Sequence, residues 1–437
     1  MDKQAFNEGL LNFIANSPTP FHATKSMTVM LADAGYTPLD ETESWALEAG
    51  GRYYVIRNGS ALIAFSLGKP TLDSLPESGI RIAGAHTDSP CLKIKPTPEV
   101  MANGYLQLGV EVYGGALLNP WFDRDLSMAG RVHYLTAGGE LDSCLIDVKD
   151  PIACIPSLAI HLDKTANENR TVNAQQHLAP VIFRPSGDTP FVFKDWLLER
   201  VRDRMGITGA QSILSFELSL YDTQAPAMLG IDRQFIASAR LDNLLSCYLA
   251  CHSLVESRGG FNMIVCNDHE EVGSVSTAGA QGPFLKSVLR RIVAQAAQAD
   301  TQADTFDRVV RRSLLYSIDN AHGVHPNYAD RHDANHGPLL NAGPVIKINA
   351  NQRYASNDRT TAGFKALCGE TGIAFQEFVM RSDMACGSTI GPITAGTLGI
   401  DTVDIGVPTF AMHSIRELAG SEDAANLASV VTAWFNR

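Results

Sequence analysis

Apolar residues recur along this chain with two different periods, and each period predicts a different element. Phe6, Leu10, Phe13 and Ile14 fall at helical spacing and predict an opening helix that stops at Ser17-Pro18-Thr19-Pro20. Strand-like runs follow at 52–57, at 60–66 after an Asn-Gly turn, and at 79–86. Between 92 and 235 prolines and turn residues multiply, long helical patterns are few, and 212–220 alternates, with Leu214, Phe216, Leu218 and Leu220 set against Ser215, Glu217 and Ser219. That stretch reads as a largely β module.

Beyond 236 the pattern becomes strand-then-helix. A stripe at 241, 244, 245, 248, 249 and 252 predicts a helix over 240–257, and a second helix is expected over 284–297. The runs 261–266, 313–318, 345–348 and 403–407 read as buried strands, and 426–435 as a closing amphipathic helix. Alternating strands and helices imply a mostly parallel mixed sheet covered on both faces. The expected architecture is an α/β domain formed by 1–91 and 236–437, interrupted by a β-rich domain over 92–235.

Length and charge narrow the function classes. With 437 residues and 45% hydrophobic side chains, the chain can bury a large core, and disorder or coiled coil is excluded. The balance of 35 basic to 47 acidic residues gives a net charge of −12 with no basic cluster, which argues against nucleic acid and anionic membranes as partners. No apolar run suits a signal peptide or a spanning helix, so a cytoplasmic location is expected. The eight cysteines form no CxxC pair, and Cys247 and Cys251 read as core.

Polar clusters stand where apolar strands end, which is where α/β sheets build their active sites. They are AHTDSP (His86, Asp88), SARLDN (Asp242), NDHEEVGS (Glu270, Glu271), DNAHGVHPN (Asp319, His325) and AMHSIRE (His413). In an extended chain His86 and Asp88 face the same way, so Asp88 is placed to steady the imidazole of His86. Asp242 reads either as a helix-capping carboxylate or as a bridge between two cations. Adjacent glutamates after a buried strand divide two jobs, one ligating a metal while the other takes a proton from water. Two histidines and three carboxylates suit two divalent ions such as Zn²⁺, with Co²⁺ or Mn²⁺ as alternatives.

The segments AHTDSPCLKIKP, GGALLNPWFDRDLSMAGRV, SARLDNL, NDHEEVGS, DNAHGVHPNY, IKINANQRYAS, CGSTIGPI and AMHSIRE resemble the aspartyl aminopeptidase family of dinuclear zinc metallopeptidases. The likeness spans almost the whole chain, inserted region included. It implies that His86 and Asp319 hold one metal, Glu271 and His413 the other, and that Asp242 bridges them. Glu270 is then the general base, Asp88 supports His86, and the inserted region is a dimerisation domain whose His161 enters a neighbouring active site. The family assembles into tetrahedral dodecamers and hydrolyses peptides with N-terminal Asp or Glu. An acidic side chain needs a buried cation. Lys347, in a strongly apolar strand, is the first candidate, with Tyr354 and His325 as lining residues. The competing readings are a dinuclear deacylase of N-acyl amino acids and a scaffold that has lost its chemistry.

Overall fold

Continuous apolar runs become the interior strands of a nine-stranded sheet. From edge to edge its order is Thr37–Pro38, Arg52–Arg57, Ala61–Ser66, Asn262–Asn267, Arg81–His86, Leu314–Ile318, Asp401–Gly406, Val345–Ile348 and Gln376–Val379. Five of the eight neighbouring pairs are parallel, so the fold is α/β with a mixed, mostly parallel sheet. The computed structural model describes residues 1–68, 72–186, 190–296 and 303–437. It divides into two compact units, the first made of Met1–Asp88, Pro226–Met412 and Glu417–Arg437, the second of Ser89–Ala225 with His413–Arg416.

Both faces of the large sheet are covered, and the alternation of side chains shows it. Tyr54, Leu62, Ala64, Ala83, Ile264 and Cys266 belong to one core cluster. Their strand neighbours Tyr53, Val55, Ile63, Phe65, Ile82, Met263 and Val265 belong to another. Successive residues of a strand point to opposite faces, so near-continuous apolar strands need helices on both sides. Helices Lys3–Ala15, Leu241–Val255 and Asp423–Phe435 supply the first layer. Phe284–Ala296 and Thr305–Arg312 supply the second, and residue 297 of the expected helix lies outside the described residues. Leu244, Leu245 and Leu249 are wholly buried, and truncating one such leucine to alanine costs about 2–5 kcal/mol. The same unit carries a small five-stranded sheet ordered Ala227–Leu229, Phe235–Ser238, Glu417–Gly420, Pro408–Phe410 and Ala321–His322.

The second unit is built on a six-stranded antiparallel sheet ordered Leu141–Asp147, Leu126–Thr136, Ala210–Asp222, Cys91–Ala102, Tyr105–Tyr113 and Val181–Phe183. Helix Phe193–Met205 packs its Phe193, Leu197 and Val201 into the core of this unit. One expected alternation breaks here. Leu218 and Leu220 are buried as their spacing implies, but Leu214 is 46% exposed and Ile213 takes the inward place. An irregularity in register between Ile213 and Ser215 shifts the phase by one residue, as a β-bulge does. Among the described residues no helix is long and apolar enough to cross a membrane, and the eight cysteines are free thiols.

Candidate functional site

Strand register brings the polar clusters of the first unit together. His86 ends the strand Arg81–His86, and Asn267, its partner in the parallel neighbour, precedes the turn Glu270–Val272 by three residues. Asp319 directly follows the strand Leu314–Ile318, and Asp242 lies in the irregular first turn of helix Leu241–Val255. All of them sit at the carboxyl ends of parallel strands or at the helix that begins beside them.

His86 is the centre of the cluster. Its Nε2 lies 3.4 Å from Asp242 Oδ1 and 3.5 Å from Asp319 Oδ1, while its Nδ1 lies 3.4 Å from Asp88 Oδ1. Ligand atoms of His86, Asp242 and Asp319 fall within 4.8 Å of one another, as do those of His86, Glu270 and Glu271. Each trio offers the mixed nitrogen and oxygen donors that a zinc-like ion takes. Five carboxylates converge on one imidazole and one ammonium, a surplus of negative charge that divalent cations would neutralise. Burial lowers the affinity of His86 for a proton, yet hydrogen bonds to Asp242, Asp319 and Asp88 outweigh it and hold the ring well above the usual histidine range. Burial, and then its acidic neighbours, push Glu270 up to about 7 and Glu271 well above the ordinary carboxyl range.

The backbone around these groups is held by residues that sequence reasoning did not single out. Glu417, buried in the small sheet, accepts the backbone N–H of Asp242 at 3.0 Å. Asn243 donates to the carbonyl of Ile318 at 3.0 Å, and Cys247 donates to the carbonyl of His86 at 3.0 Å. Burial pushes Asp268, beside Glu270, up to about 6, with Asp88 adding to the shift. Arg240 and His269, which precede Asp242 and Glu270, both adopt the left-handed backbone that non-glycine residues avoid. Gly406 lets its strand touch Asp319, because a Cβ there would lie 1.7 Å from the Asp319 carbonyl oxygen. Glu417 had a signal, an acid within AMHSIRE. Cys247 had none, since a thiol in an apolar stripe reads as packing.

The remaining candidates are Lys347, His325, His161 and His413. Lys347 is 2% exposed. It is no surface lysine: its Nζ lies 3.3 Å from Asp319 Oδ2, 3.2 Å from the Asn320 carbonyl oxygen and 5.1 Å from the ring centre of buried Tyr354. His325 packs its ring at a tilt against Tyr328 and Phe410, and lines a cleft of about 230 Å³ with His322, His332, Arg331 and Arg381. His161 and His413 belong to the second unit. His161 occupies an exposed turn and not a strand edge, and His413 Nδ1 lies 3.1 Å from the Gly115 carbonyl oxygen.

Comparison with known proteins agrees with this arrangement. Residues 13–435 match the family model described as "Aminopeptidase I zinc metalloprotease (M18)". A probable M18 family aminopeptidase 2 of Pseudomonas paraeruginosa is 57% identical over 430 residues, covering 98% of this chain and 97% of that protein. Its counterpart in Stutzerimonas stutzeri is 55% identical over 436 residues, covering 99% of both. Among solved structures, one titled as the Ape4 and Nbr1 complex superposes with a TM-score of 0.93 at 36% identity, covering 99% of this chain and 86% of that one. The mApe1 of Chaetomium thermophilum gives 0.87 at 30% identity, covering 99% and 98%. A sheet whose strand ends gather histidine and carboxylates, and a sequence match across nearly its whole length, lead to one conclusion: this chain belongs to the M18 family of zinc-metalloprotease aminopeptidases.

Proposed function

We propose that this aminopeptidase removes N-terminal Asp or Glu from peptides with two divalent cations, zinc in the first place, although Co²⁺ and Mn²⁺ suit the same donors. His86 and Asp319 are assigned to one ion, Glu271 and His413 to the other, and Asp242 to both. When bound, the pair supplies Lewis acidity and an activated water. Glu270, adjacent to Glu271, takes the water's proton and later hands it to the leaving amine. Asp88 holds His86 and the backbone of both glutamates. The acidic groups around Glu270 suit the substrate's α-ammonium, which confines cleavage to the N-terminus. Homo-oligomerisation fits this reading, because the structure titled as S. cerevesiae mApe1 dodecamer superposes with a TM-score of 0.84 at 29% identity over all of this chain and 97% of that one. In such an assembly His161 is assigned to the site of a neighbouring subunit, where it would stabilise the developing oxyanion.

The observation that carries the acidic preference is Lys347. An ammonium has three N–H donors. Among the described residues two are directed at Asp319 and the Asn320 carbonyl, which leaves a third for a substrate carboxylate. Tyr354 and His325 are assigned as lining residues. The test is hydrolysis of a panel of N-terminal residues by metal-reconstituted protein, with N-acetyl-Asp anilide as the blocked comparator. Preferred cleavage of free Asp and Glu, lost on Lys347→Ala, supports the reading. Equal cleavage of the acetylated compound would replace it with a deacylase, and preference retained by Lys347→Ala would remove Lys347 from recognition.

A further inference from the structure

Asp404 is a buried charge for which the chemistry above has no use. It lies in the strand Asp401–Gly406 and is wholly buried. Its Oδ1 accepts hydrogen bonds from Ser317 Oγ and Thr389 Oγ1, both at 2.6 Å, and its Oδ2 accepts the backbone N–H of Ala355 at 2.6 Å. Its own N–H donates to Ser356 Oγ at 2.9 Å. A carboxylate taken from water is costly unless donors satisfy it, and an apolar side chain in this strand would avoid the cost altogether. What the charge accomplishes is therefore visible in what it joins.

Three separate segments meet at this one side chain. Ser317 lies in the strand Leu314–Ile318, two residues before Asp319. Ala355 follows Tyr354, whose ring lies against the ammonium of Lys347. Thr389 caps the helix Ile390–Leu398 by accepting the N–H of Gly391 at 3.3 Å. Gly391 itself is shaped to the carboxylate, since a Cβ there would lie 2.5 Å from Asp404 Oδ2.

We infer that Asp404 is a positioning residue for recognition of the acidic substrate side chain, clamping the Tyr354 segment and the Thr389 turn so that Tyr354 and Lys347 keep their mutual geometry. The inference rests on Lys347 being the acid-binding cation. Asp404 touches no substrate atom; it acts through Ala355 and Thr389.

Two substitutions probe the clamp from different sides. Asp404→Asn keeps the shape but turns one acceptor into a donor, and Gly391→Ala drives a methyl into an intact carboxylate. The measurement is kcat/KM for an N-terminal Asp peptide divided by that for an N-terminal Ala peptide, in the metal-loaded protein, with metal content determined alongside. Both variants are expected to lower this ratio by about tenfold, the scale of one misplaced polar contact, mostly through KM of the Asp peptide and with the parent's metal content. A ratio unchanged in both, with activity on the two peptides falling together, would reduce Asp404 to a structural role and overturn the inference. If Asp404→Asn fails to fold, Gly391→Ala and Thr389→Val decide it by the same ratio. A parent protein with no preference for Asp would remove the acid-binding reading and this inference together, whereas a clear parental preference with unaltered variants sinks the inference alone.

Discussion

The carboxylate of Asp88 takes the backbone N–H of Glu270 on one oxygen and that of Glu271 on the other, each at 3.1 Å. The first of these oxygens also lies 3.4 Å from His86 Nδ1. One side chain thus fixes the imidazole proposed to hold a metal and the backbone of both glutamates, and its loss should be felt in metal binding as well as in turnover. Asp88→Ala is expected to weaken metal affinity by about 10- to 100-fold, the usual effect of removing a partner that orients a ligand. Titration of the metal-free protein with Zn²⁺ checks this, and unchanged affinity would refute the role.

Glu270→Gln separates proton transfer from metal binding. The amide preserves shape but takes no proton, so kcat is expected to fall by about 10²- to 10⁴-fold. Metal content and thermal stability should stay near the parent's. Steady-state rates with elemental analysis on the same sample test both halves.

Removing the metals should destabilise the first unit. Asp242, Asp319, Glu270 and Glu271 gather around His86, and without cations their charges repel. A ligand present at 100 times its dissociation constant stabilises the folded state by about 2.7 kcal/mol. Dialysis against a chelator is expected to lower Tm, and added Zn²⁺ to restore it. An identical Tm with and without chelator would contradict this.

Asp423 gives the fold a dependence on pH away from the metal cluster. Burial pushes its carboxyl up to about 6, against the pull of the backbone N–H groups of Asn341 and Gly343. An exposed aspartate titrates near about 4, so between these values the folded state binds more protons than the unfolded one. Stability from this group is therefore complete at low pH and is lost as pH rises through the window. Relative to Asp423→Asn, the parent should lose at most about 3 kcal/mol between pH 4 and 6. Denaturant unfolding of both proteins at several pH values measures the difference.

Much of the sheet was legible because its strands are apolar runs bounded by polar ones. Arg52–Arg57 and Val345–Ile348 fall where the runs predict them. Other boundaries shifted where buried residues are small or polar. Asp401–Gly406 starts two residues before the apolar run because Asp401 and Thr402 pair with Leu314 and Leu315. Helix Asp423–Phe435 begins three residues early on Asp423, Ala424 and Ala425, all buried but too polar or small to mark a stripe. The clusters around His86, Asp242, Glu270 and Asp319 stood out because polar residues abruptly follow buried strands. Cys247 and Asp404 did not, and Glu417 stood within AMHSIRE without revealing its partner, because each works by a hydrogen bond to residues distant in sequence that only the folded register brings within reach.

The strand Asn262–Asn267 is inserted between Ala61–Ser66 and Arg81–His86. A growing polypeptide therefore cannot fill this place in the sheet until synthesis, long past His86, reaches Asn267. Until then both flanking strands present raw edges, surfaces that invite mispairing and need shielding. The same delay is a safeguard. A proteolytic centre divided between early and late portions of the message stays harmless on the ribosome, and premature termination yields no stray peptidase.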